Sequence, residues 1–160
     1  MTHIEDIYQT NIKLLNQCDI AFNEWKHEPI TDTETDDRVM AELKITGALT
    51  KSLFLKIKGG GFALFLTDKR KRLNSKLIKS VLGKRVSICS DEEMIEQIGC
   101  IPGAVCPFGL PEHIQLVVDT DLYNSDELLY TPGYPTGTIG IPGPSLPMLL
   151  THLPNLVHEI

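Results

Sequence analysis

The segment from Gly99 to Pro111, GCIPGAVCPFGLP, is the first candidate for a site that performs chemistry. It holds three glycines, three prolines and two cysteines. Because glycine allows positive φ while proline fixes φ and lacks an N–H group, the segment predicts a rigid, shaped loop. Such a loop can aim backbone groups at a ligand. Its composition alone fits a tight connection between two elements equally well.

Lys51 is the second candidate. It stands at the start of Thr50–Lys58, TKSLFLKIK, in which apolar residues alternate as in a strand. A lysine at the mouth of a strand can hold a phosphate or stabilise a developing oxyanion. Position alone also fits an ordinary exposed lysine.

Cysteine and histidine provide no further pattern. Cys18, Cys89, Cys100 and Cys106 form no CxxC pair and no zinc spacing, so we expect reduced, buried side chains. Cys106 could act as a nucleophile if a cation lowered its pKa, but a small pocket-lining role fits it better. His113 could act as an acid or base, although a surface turn fits it better. The chain also lacks a nucleophile elbow, a P-loop and a dinucleotide fingerprint.

Length and composition indicate an ordinary globular protein. The 160 residues are 42% hydrophobic and 22% charged, which predicts one domain over 1–160 with a substantial core. No apolar run approaches the roughly 20 residues of a membrane span. The acidic N-terminus, MTHIEDIYQT, lacks the features of a signal peptide. We therefore expect a soluble cytoplasmic protein that does not act on a membrane.

The charge is distributed unevenly. The net charge of −6 argues against general affinity for polyanions, yet 11 of the 15 Lys and Arg residues lie within 51–85. Because that window holds a single acid, Asp68, it carries +10, and the remaining 4 cations and 20 acids carry −16. This asymmetry predicts a phosphate-facing patch on an acidic body, with a merely solvated basic face as the alternative.

The surrounding segments predict a mixture of helices and strands. Predicted helices cover 3–18, Val39 to Ile45 closed by Gly47, 73–82 closed by Gly83, and 90–98 with Ser90 as N-cap. Predicted strands cover 20–26, 50–58, 62–67, 85–89, 114–119, 128–130 and 136–141, and the strands at 50–58 and 62–67 form a hairpin. A polar turn is predicted at 119–126 and a short helix or loop at 144–152. Because helices alternate with hairpins, the predicted class is α+β with a mixed sheet.

Two motifs in this order resemble the YbaK/prolyl-tRNA-editing superfamily. TKSLFLKIK, followed by a glycine turn and an apolar strand, resembles that family's lysine strand, which is usually close to TKNLFL. Downstream, Gly103-Ala104-Val105-Cys106-Pro107 matches the family's GxxxP loop within PGAVCPFGL, and VVDTDL follows it. The resemblance covers about residues 20–150. The two motifs together are more specific for this family than either motif alone.

This resemblance implies a fold and an activity. The fold would be a mixed, partly barrel-like β-sheet flanked by helices. The activity would be that of a free-standing editing domain, which hydrolyses the ester between a mischarged small amino acid and the terminal adenosine of tRNA. Such a hydrolase needs no metal or other cofactor. Its partners would be the acceptor end of tRNA and an aminoacyl-tRNA synthetase.

The resemblance also implies roles for individual residues. Lys51 would anchor the tRNA end near its phosphate, and backbone groups from Gly103 to Pro107 would orient the scissile carbonyl or the water. The amino acid would contact Ser52, Ala104, Val105, Cys106 and Thr131. Because an aminoacyl ester is already activated, positioning and an oxyanion site can suffice without a side-chain nucleophile. In this family a ribose hydroxyl of the substrate is thought to assist.

The sequence departs from the family pattern at two positions. Ser52 replaces an asparagine that is frequent in alanyl-specific members, and Thr131-Pro132 replaces their His-Pro. Alanine specificity is therefore not implied, and a pocket bordered by Ser52, Cys106 and Thr131 would suit alanine, serine, threonine or cysteine. The missing histidine also fits a non-catalytic tRNA-binding or interaction module that kept the fold. A hydrolase of small esters or thioesters is a third alternative.

Overall fold

An eight-stranded mixed sheet organises the structure, a computed structural model that describes residues 3–30 and 32–160. The strands are β1 (Asn23–Lys26), β2 (Ala48–Ile57), β3 (Phe62–Asp68), β4 (Val86–Ile88), β5 (Ile114–Val118), β6 (Leu128–Tyr130), β7 (Gly137–Ile141) and β8 (Val157–Glu159). The helices are α1 (His3–Gln17), α2 (Thr33–Glu42), α3 (Ser75–Leu82), α4 (Asp91–Ile98) and α5 (Leu146–Thr151), with 3₁₀ turns at Thr120–Asn124 and Gly143–Ser145.

The strand order confirms the predicted mixed α+β class. The order is β1-β7-β6-β2-β3-β5-β8, with β4 paired to β2. The β2/β6, β3/β5 and β5/β8 ladders are parallel and the others are antiparallel. Within the described ranges no ladder joins β1 to β8, so the sheet is open at both edges. The partly barrel-like sheet that the resemblance implies is thus not a closed barrel.

Strand β2 belongs to two halves of the sheet. On one edge it pairs with β3 from Thr50 to Lys56. On the other edge, Ala48 and Leu49 pair with β6, whereas β4 pairs only from Leu55 onward. Between these two ladders the edge of β2 has no strand partner in the described part of the chain. The sheet therefore splits beside Lys51, and this gap forms the floor of a pocket.

Both faces of the central strands are covered. In β3, Leu64 and Leu66 belong to the larger core cluster, which also includes residues of α1, α4 and α5. Phe65 points to the other face and packs in a cluster with Ile78 of α3. Burial on both faces explains why FALFLT is continuously apolar, since a strand with one solvated face would alternate.

Local capping signals were predicted correctly for two helices. Gly83 ends α3 with φ 78°, in the left-handed region that favours glycine. The Ser90 hydroxyl caps α4 by accepting a hydrogen bond from the Glu93 N–H at 3.2 Å. The predicted hairpin is also confirmed, because Gly60 N–H donates to the Ile57 carbonyl within its turn.

The predicted end of α2 at Gly47 is wrong. The helix ends at Glu42, and Lys44 takes the left-handed conformation with φ 58°. Ile45 N–H donates to the Met40 carbonyl at 2.9 Å, which is the long bond of a Schellman motif. A lysine in this position gives no signal in the sequence. Gly47 instead allows close approach to β6, because a Cβ there would lie 3.0 Å from the carbonyl oxygen of Glu127.

Strand β8 was not predicted from the sequence. Its three residues, Val157–Glu159, pair in parallel with β5 at the sheet edge. Asn155 precedes it and donates from Nδ2 to the carbonyls of Pro111 (2.8 Å) and Ile114 (2.9 Å). A strand this short has no periodicity of its own, and its formation depends on this tertiary anchor.

We expect Gly143→Ala to lower the free energy of unfolding by about 2 kcal/mol, because overpacked sites relax poorly. A Cβ at Gly143 would lie 2.2 Å from the carbonyl oxygen of Ser125 and 2.6 Å from that of Leu122. Gly140→Ala is the matched control, since the three atoms nearest to its Cβ would all belong to the flexible side chain of Glu127. Urea denaturation measures both. Equal midpoints for the two variants would contradict this account.

Candidate active site

A cavity of about 250 Å³ opens where the sheet splits. We call it the outer chamber. It brings together the edge of β2, the end of β6, the start of α2 and the Gly/Pro loop. Its lining residues are Ile30, Asp32, Thr33, Asp36, Thr50, Lys51, Ser52, Lys69, Gly103, Val105, Tyr130 and Thr131.

A smaller cavity of about 90 Å³, the inner chamber, adjoins the outer one. The residues that line both chambers are Ile30, Asp36, Thr50, Gly103, Tyr130 and Thr131. The inner chamber adds His27, Leu49, Leu129, Pro135, Gly137 and Thr138. The site thus has an outer end that contains Lys51 and an inner end between β1 and β7.

The structure brings together five of the residues predicted for the site. Lys51, Ser52, Gly103, Val105 and Thr131 all line the outer chamber. They come from β2, from the Gly/Pro loop and from the residue after β6. Three separate parts of the chain therefore meet at the gap beside β2.

The other three predicted residues lie behind the loop. Ala104, Cys106 and Pro107 are buried, and none of them lines either chamber. The Cys106 side chain therefore lies behind the chamber wall, in the core. His113 is exposed just before β5, outside both chambers, as expected for a turn residue.

A β-turn shapes the loop at the chamber mouth. Ala104 N–H donates to the Ile101 carbonyl at 2.8 Å, with Pro102 and Gly103 at the centre of the turn. Gly103 has φ 83°, as the second central residue of a type II turn requires. The turn leaves Gly103 exposed beside the outer chamber while Ala104 packs in the core.

Two backbone donors of this loop are free to bind a ligand. The Ala104 N–H is used in the turn, and the Cys106 N–H bonds to the Cys100 thiol group. Within 3–30 and 32–160, the amides of Gly103 and Val105 have no hydrogen-bond acceptor. Both residues line the outer chamber. Their N–H groups are suited to a carbonyl oxygen that gains negative charge.

Cys106 is not an activated nucleophile. Its side chain is fully buried, and its Sγ donates to the Phe108 carbonyl at 3.4 Å. Burial raises the pKa of the Cys106 thiol to about 12. At neutral pH the group is a protonated thiol.

Two lysines in the outer chamber differ in their pairing. Lys69 Nζ lies 2.5 Å from the Asp36 carboxylate, and both side chains are about four-fifths buried (21% and 18% exposed). Lys51 is half-buried and has no ion pair or hydrogen-bond partner among the residues that the structure describes. The Lys51 ammonium group is therefore available to an external anion.

Sequence patterns missed the polar residues of the inner chamber. His27 Nδ1 lies 2.7 Å from the Glu28 carbonyl, which can only accept, so this nitrogen carries the proton. The other ring nitrogen, Nε2, lies 2.8 Å from the Thr138 hydroxyl and forms a hydrogen bond with it. Asp36 was missed as well. No motif marks these residues, because β1, β7 and α2 meet only in the folded chain.

Two threonine hydroxyls that line both chambers donate to the protein. Thr50 Oγ1 donates to the Leu129 carbonyl at 2.7 Å, and Thr131 Oγ1 donates to the Tyr134 carbonyl at 3.1 Å. Oxygen lone pairs therefore remain on the chamber walls, and they favour a ligand group that donates hydrogen bonds.

A larger cleft of about 650 Å³ lies on the other side of Lys69. Its lining includes four carboxylates, those of Asp37, Asp68, Asp126 and Glu127. It contains neither Lys51 nor the Gly/Pro loop. Because carboxylates repel a polyanionic ligand, the smaller chambers are the better candidate site despite their size.

Within the described residues, no group of three or more His, Cys, Asp or Glu side chains could hold a metal ion. The described helices are also too short or too polar to cross a membrane.

Comparison with known proteins agrees with the geometry. Residues 32–147 match the aminoacyl-tRNA editing domain family. This span is most of the chain and includes Lys51, the Gly/Pro loop and Thr131. The chain therefore belongs to the aminoacyl-tRNA editing domain family.

Two individual proteins are similar to this chain in sequence. The multifunctional Ser/Thr-tRNA deacylase ProXp-y of Escherichia coli strain K12 is 31% identical over 132 residues, covering 79% of this chain and 77% of that protein. A 50-residue stretch is 34% identical to part of the proline–tRNA ligase of Nautilia profundicola, covering 31% of this chain and 9% of that enzyme.

Solved structures share the fold. Hypothetical protein APE2540 matches with a TM-score of 0.78 at 22% identity, over 94% of this chain and 97% of that one. A candidate trans-editing enzyme for prolyl tRNA synthetase matches with a TM-score of 0.71 at 20% identity, over 96% and 95% of the two chains. At these identities the likeness shows the fold.

We expect iodoacetamide at pH 7.5 to label Cys106 of the native protein at least about 100-fold more slowly than in urea, because only the thiolate reacts and access requires unfolding. Burial raises the pKa of all four thiols, that of Cys89 to about 11. Peptide mass spectrometry over a time course measures each site. Rapid labelling of native Cys106 would restore it as a candidate nucleophile.

Proposed function

We propose that this chain is a trans-editing aminoacyl-tRNA deacylase, which hydrolyses the ester between a mischarged small amino acid and tRNA. The observation that carries the proposal is a chamber that contains the Lys51 ammonium group and two loop amides, none of which has a partner in the described part of the chain. Membership of the editing-domain family supports it. So does the E. coli relative, which is named a Ser/Thr-tRNA deacylase.

The chemistry needs no side-chain nucleophile. Water adds to the ester carbonyl, and the amides of Gly103 and Val105 stabilise the oxyanion that forms. The carbon–oxygen bond to the ribose then breaks, and the departing ribose oxygen takes the proton that the water gives up. A neighbouring ribose hydroxyl can carry this proton. Pro107 supports the loop from the core, and Gly103 provides the turn.

Lys51 holds the terminal phosphate of the tRNA in this mechanism. Its charge has no ion-pair partner among the described residues, and its strand is held on the β3 side by a continuous ladder. A fixed cation places the adenosine so that the ester reaches the loop, and such positioning can supply a large part of a rate enhancement.

The Lys and Arg residues within 51–85, which we call the basic window, divide into paired and free cations. Lys56, Lys69, Arg70 and Lys71 form ion pairs with carboxylates of the protein. The cations without such a pair in the described part of the chain are Lys51, Lys58, Arg72, Lys76, Lys79, Lys84 and Arg85.

The free cations extend away from the chamber. Lys58 lies seven residues along β2 from Lys51, roughly 23 Å at the rise of an extended strand. Its N–H bonds to the Arg85 carbonyl at 2.8 Å, which brings the two cations to the same end of the hairpin. We assign this end, together with α3, to the phosphates of the acceptor stem.

The inner chamber takes the amino-acid side chain. Its volume of about 90 Å³ suits alanine, serine, threonine or cysteine. The acceptor lone pairs of its threonines favour a side-chain hydroxyl, in agreement with the name of the E. coli relative. Ser52 and Thr131 stand where alanyl-specific members carry Asn and His, so the polar wall differs from theirs.

We place this activity in the cytoplasm, where the whole chain, 1–160, acts as one editing domain on tRNA. The stretch shared with a proline–tRNA ligase supports cooperation with an aminoacyl-tRNA synthetase. The wild-type protein should then protect translation by removing amino acids that a synthetase has attached in error.

We expect the wild-type protein to cleave at least one ester in a panel of mischarged tRNAs, and Lys51→Ala to lower kcat/KM by about 100-fold through misplacement of the ester. Release of labelled amino acid measures the rate. Lys13→Ala, an exposed lysine on α1, is the matched control and should cleave like the wild type. If no ester is cleaved faster than in buffer, the proposed function fails. Equal rates for Lys51→Ala and wild type would remove Lys51 from the mechanism.

We expect the double variant Lys84→Glu/Arg85→Glu to bind uncharged tRNA roughly tenfold more weakly at low salt, with a salt slope reduced by about 2. Titration at several salt concentrations measures both, with Lys13→Glu as control. Salt-sensitive binding by the wild type without any turnover would identify a non-catalytic module. Turnover of free amino-acid esters but not of aminoacyl-tRNA would identify a small-ester hydrolase.

A further inference from the structure

We infer that Asp36 forms a subsite for the α-ammonium group of the esterified amino acid. This inference rests on the proposed function, because it assigns a substrate group within the same chambers. It concerns a residue of α2 that lies outside both sequence motifs.

Asp36 lies where the two chambers meet, since it lines both of them. Gly103 and Thr131 share this position. In an aminoacyl ester, the α-carbon carries the ester carbonyl, the side chain and the ammonium group. With the carbonyl at the Gly103 amide and the side chain in the inner chamber, the α-carbon lies at the junction. The ammonium group is then directed towards the remaining polar wall, which Asp36 provides.

The pairing of Asp36 leaves one oxygen for a ligand. Oδ2 accepts from Lys69 Nζ at 2.5 Å, whereas Oδ1 has no hydrogen-bond partner in the described part of the chain. Lys69 is itself held through its N–H, which donates to the Leu49 carbonyl at 2.9 Å. The lysine thus fixes the carboxylate and keeps Oδ1 available. A charge-assisted hydrogen bond from an ammonium group to Oδ1 would be among the stronger polar contacts of the site.

The other groups at the junction also suit a ligand group that is positively charged and donates hydrogen bonds. The hydroxyls of Thr50 and Thr131 donate elsewhere and present acceptor lone pairs. The unpaired cation, Lys51, lines only the outer chamber. Charge therefore changes along the site, from a free cation at the phosphate end to a carboxylate at the amino-acid end. The substrate has the complementary order, a phosphate followed by an ammonium group.

With this subsite, the protein selects aminoacyl esters whose α-amino group is free. An N-acylated ester, such as the end of a peptidyl-tRNA, has no ammonium group and adds bulk at the junction. The protein should therefore spare N-acylated esters of the same amino acid. The three contacts at the α-carbon should also select one enantiomer.

The test compares alanyl-, seryl-, threonyl- and cysteinyl-tRNA with their N-acetyl counterparts. We expect the wild type to cleave at least one free-amine ester, with kcat/KM at least about tenfold above its N-acetyl form. Asp36→Asn should lower the free-amine rate by a similar factor and leave the N-acetyl rate unchanged, so that discrimination disappears.

Two further variants separate a direct role of Asp36 from a structural one. Asp37→Asn removes the same charge from the next residue, which lines the larger cleft and neither chamber, and it should discriminate like the wild type. Lys69→Met breaks the ion pair but keeps the carboxylate, so it should still prefer the free amine.

The outcomes are distinguishable. Cleavage of free-amine and N-acetyl esters at equal rates by the wild type would overturn the Asp36 subsite while the deacylase function stands. An equal loss on both substrates in Asp36→Asn, together with lost preference in Lys69→Met, would assign the pair a structural role and also overturn it. If the wild type cleaves none of these esters, the proposed function and the subsite fail together.

Discussion

The site depends on the divided pairing of β2. Its first residues pair with β6 and its last with β4, and between them one edge of the strand has no strand partner in the described part of the chain. A continuous sheet would bury this edge in a ladder and leave no room for a ligand. Because β3 pairs along the whole opposite edge, the gap opens without loosening the strand. Lys51 is thereby presented from a rigid element to a cavity.

The loop opposite that gap presents backbone groups to the chamber. The turn at Pro102 and Gly103 fixes where the amides point, and the buried side chains of Ala104 and Cys106 hold the loop to the core. Backbone donors need no protonation step and are positioned before the substrate binds. An ester that is already activated suits such a site, because positioning and an oxyanion site can suffice without a catalytic cysteine or histidine.

Charge pairing reconciles an acidic protein with a polyanionic substrate. The carboxylates pair with selected members of the basic window, such as Lys69 and Lys71, and fix them as parts of the structure. Others, such as Lys51 and Lys84, have no ion pair within residues 3–30 and 32–160. Net charge therefore says little about this protein, whereas the distinction between paired and free cations indicates where phosphates can bind.

The sequence by itself determined the features that depend on near neighbours. These are the β2–β3 hairpin, the Gly83 and Ser90 caps and the mixed α+β class. The pair of Lys51 with the Gly/Pro loop, about 50 residues apart, was instead recognised through the family resemblance. Tertiary structure alone decided that Cys106 faces the core, that Lys44 ends α2, that β8 forms, and that His27 and Asp36 join the chambers. Periodicity and capping report contacts within a few residues. The inner chamber instead depends on distant segments that meet where β6 leaves β2, and no local pattern encodes that meeting.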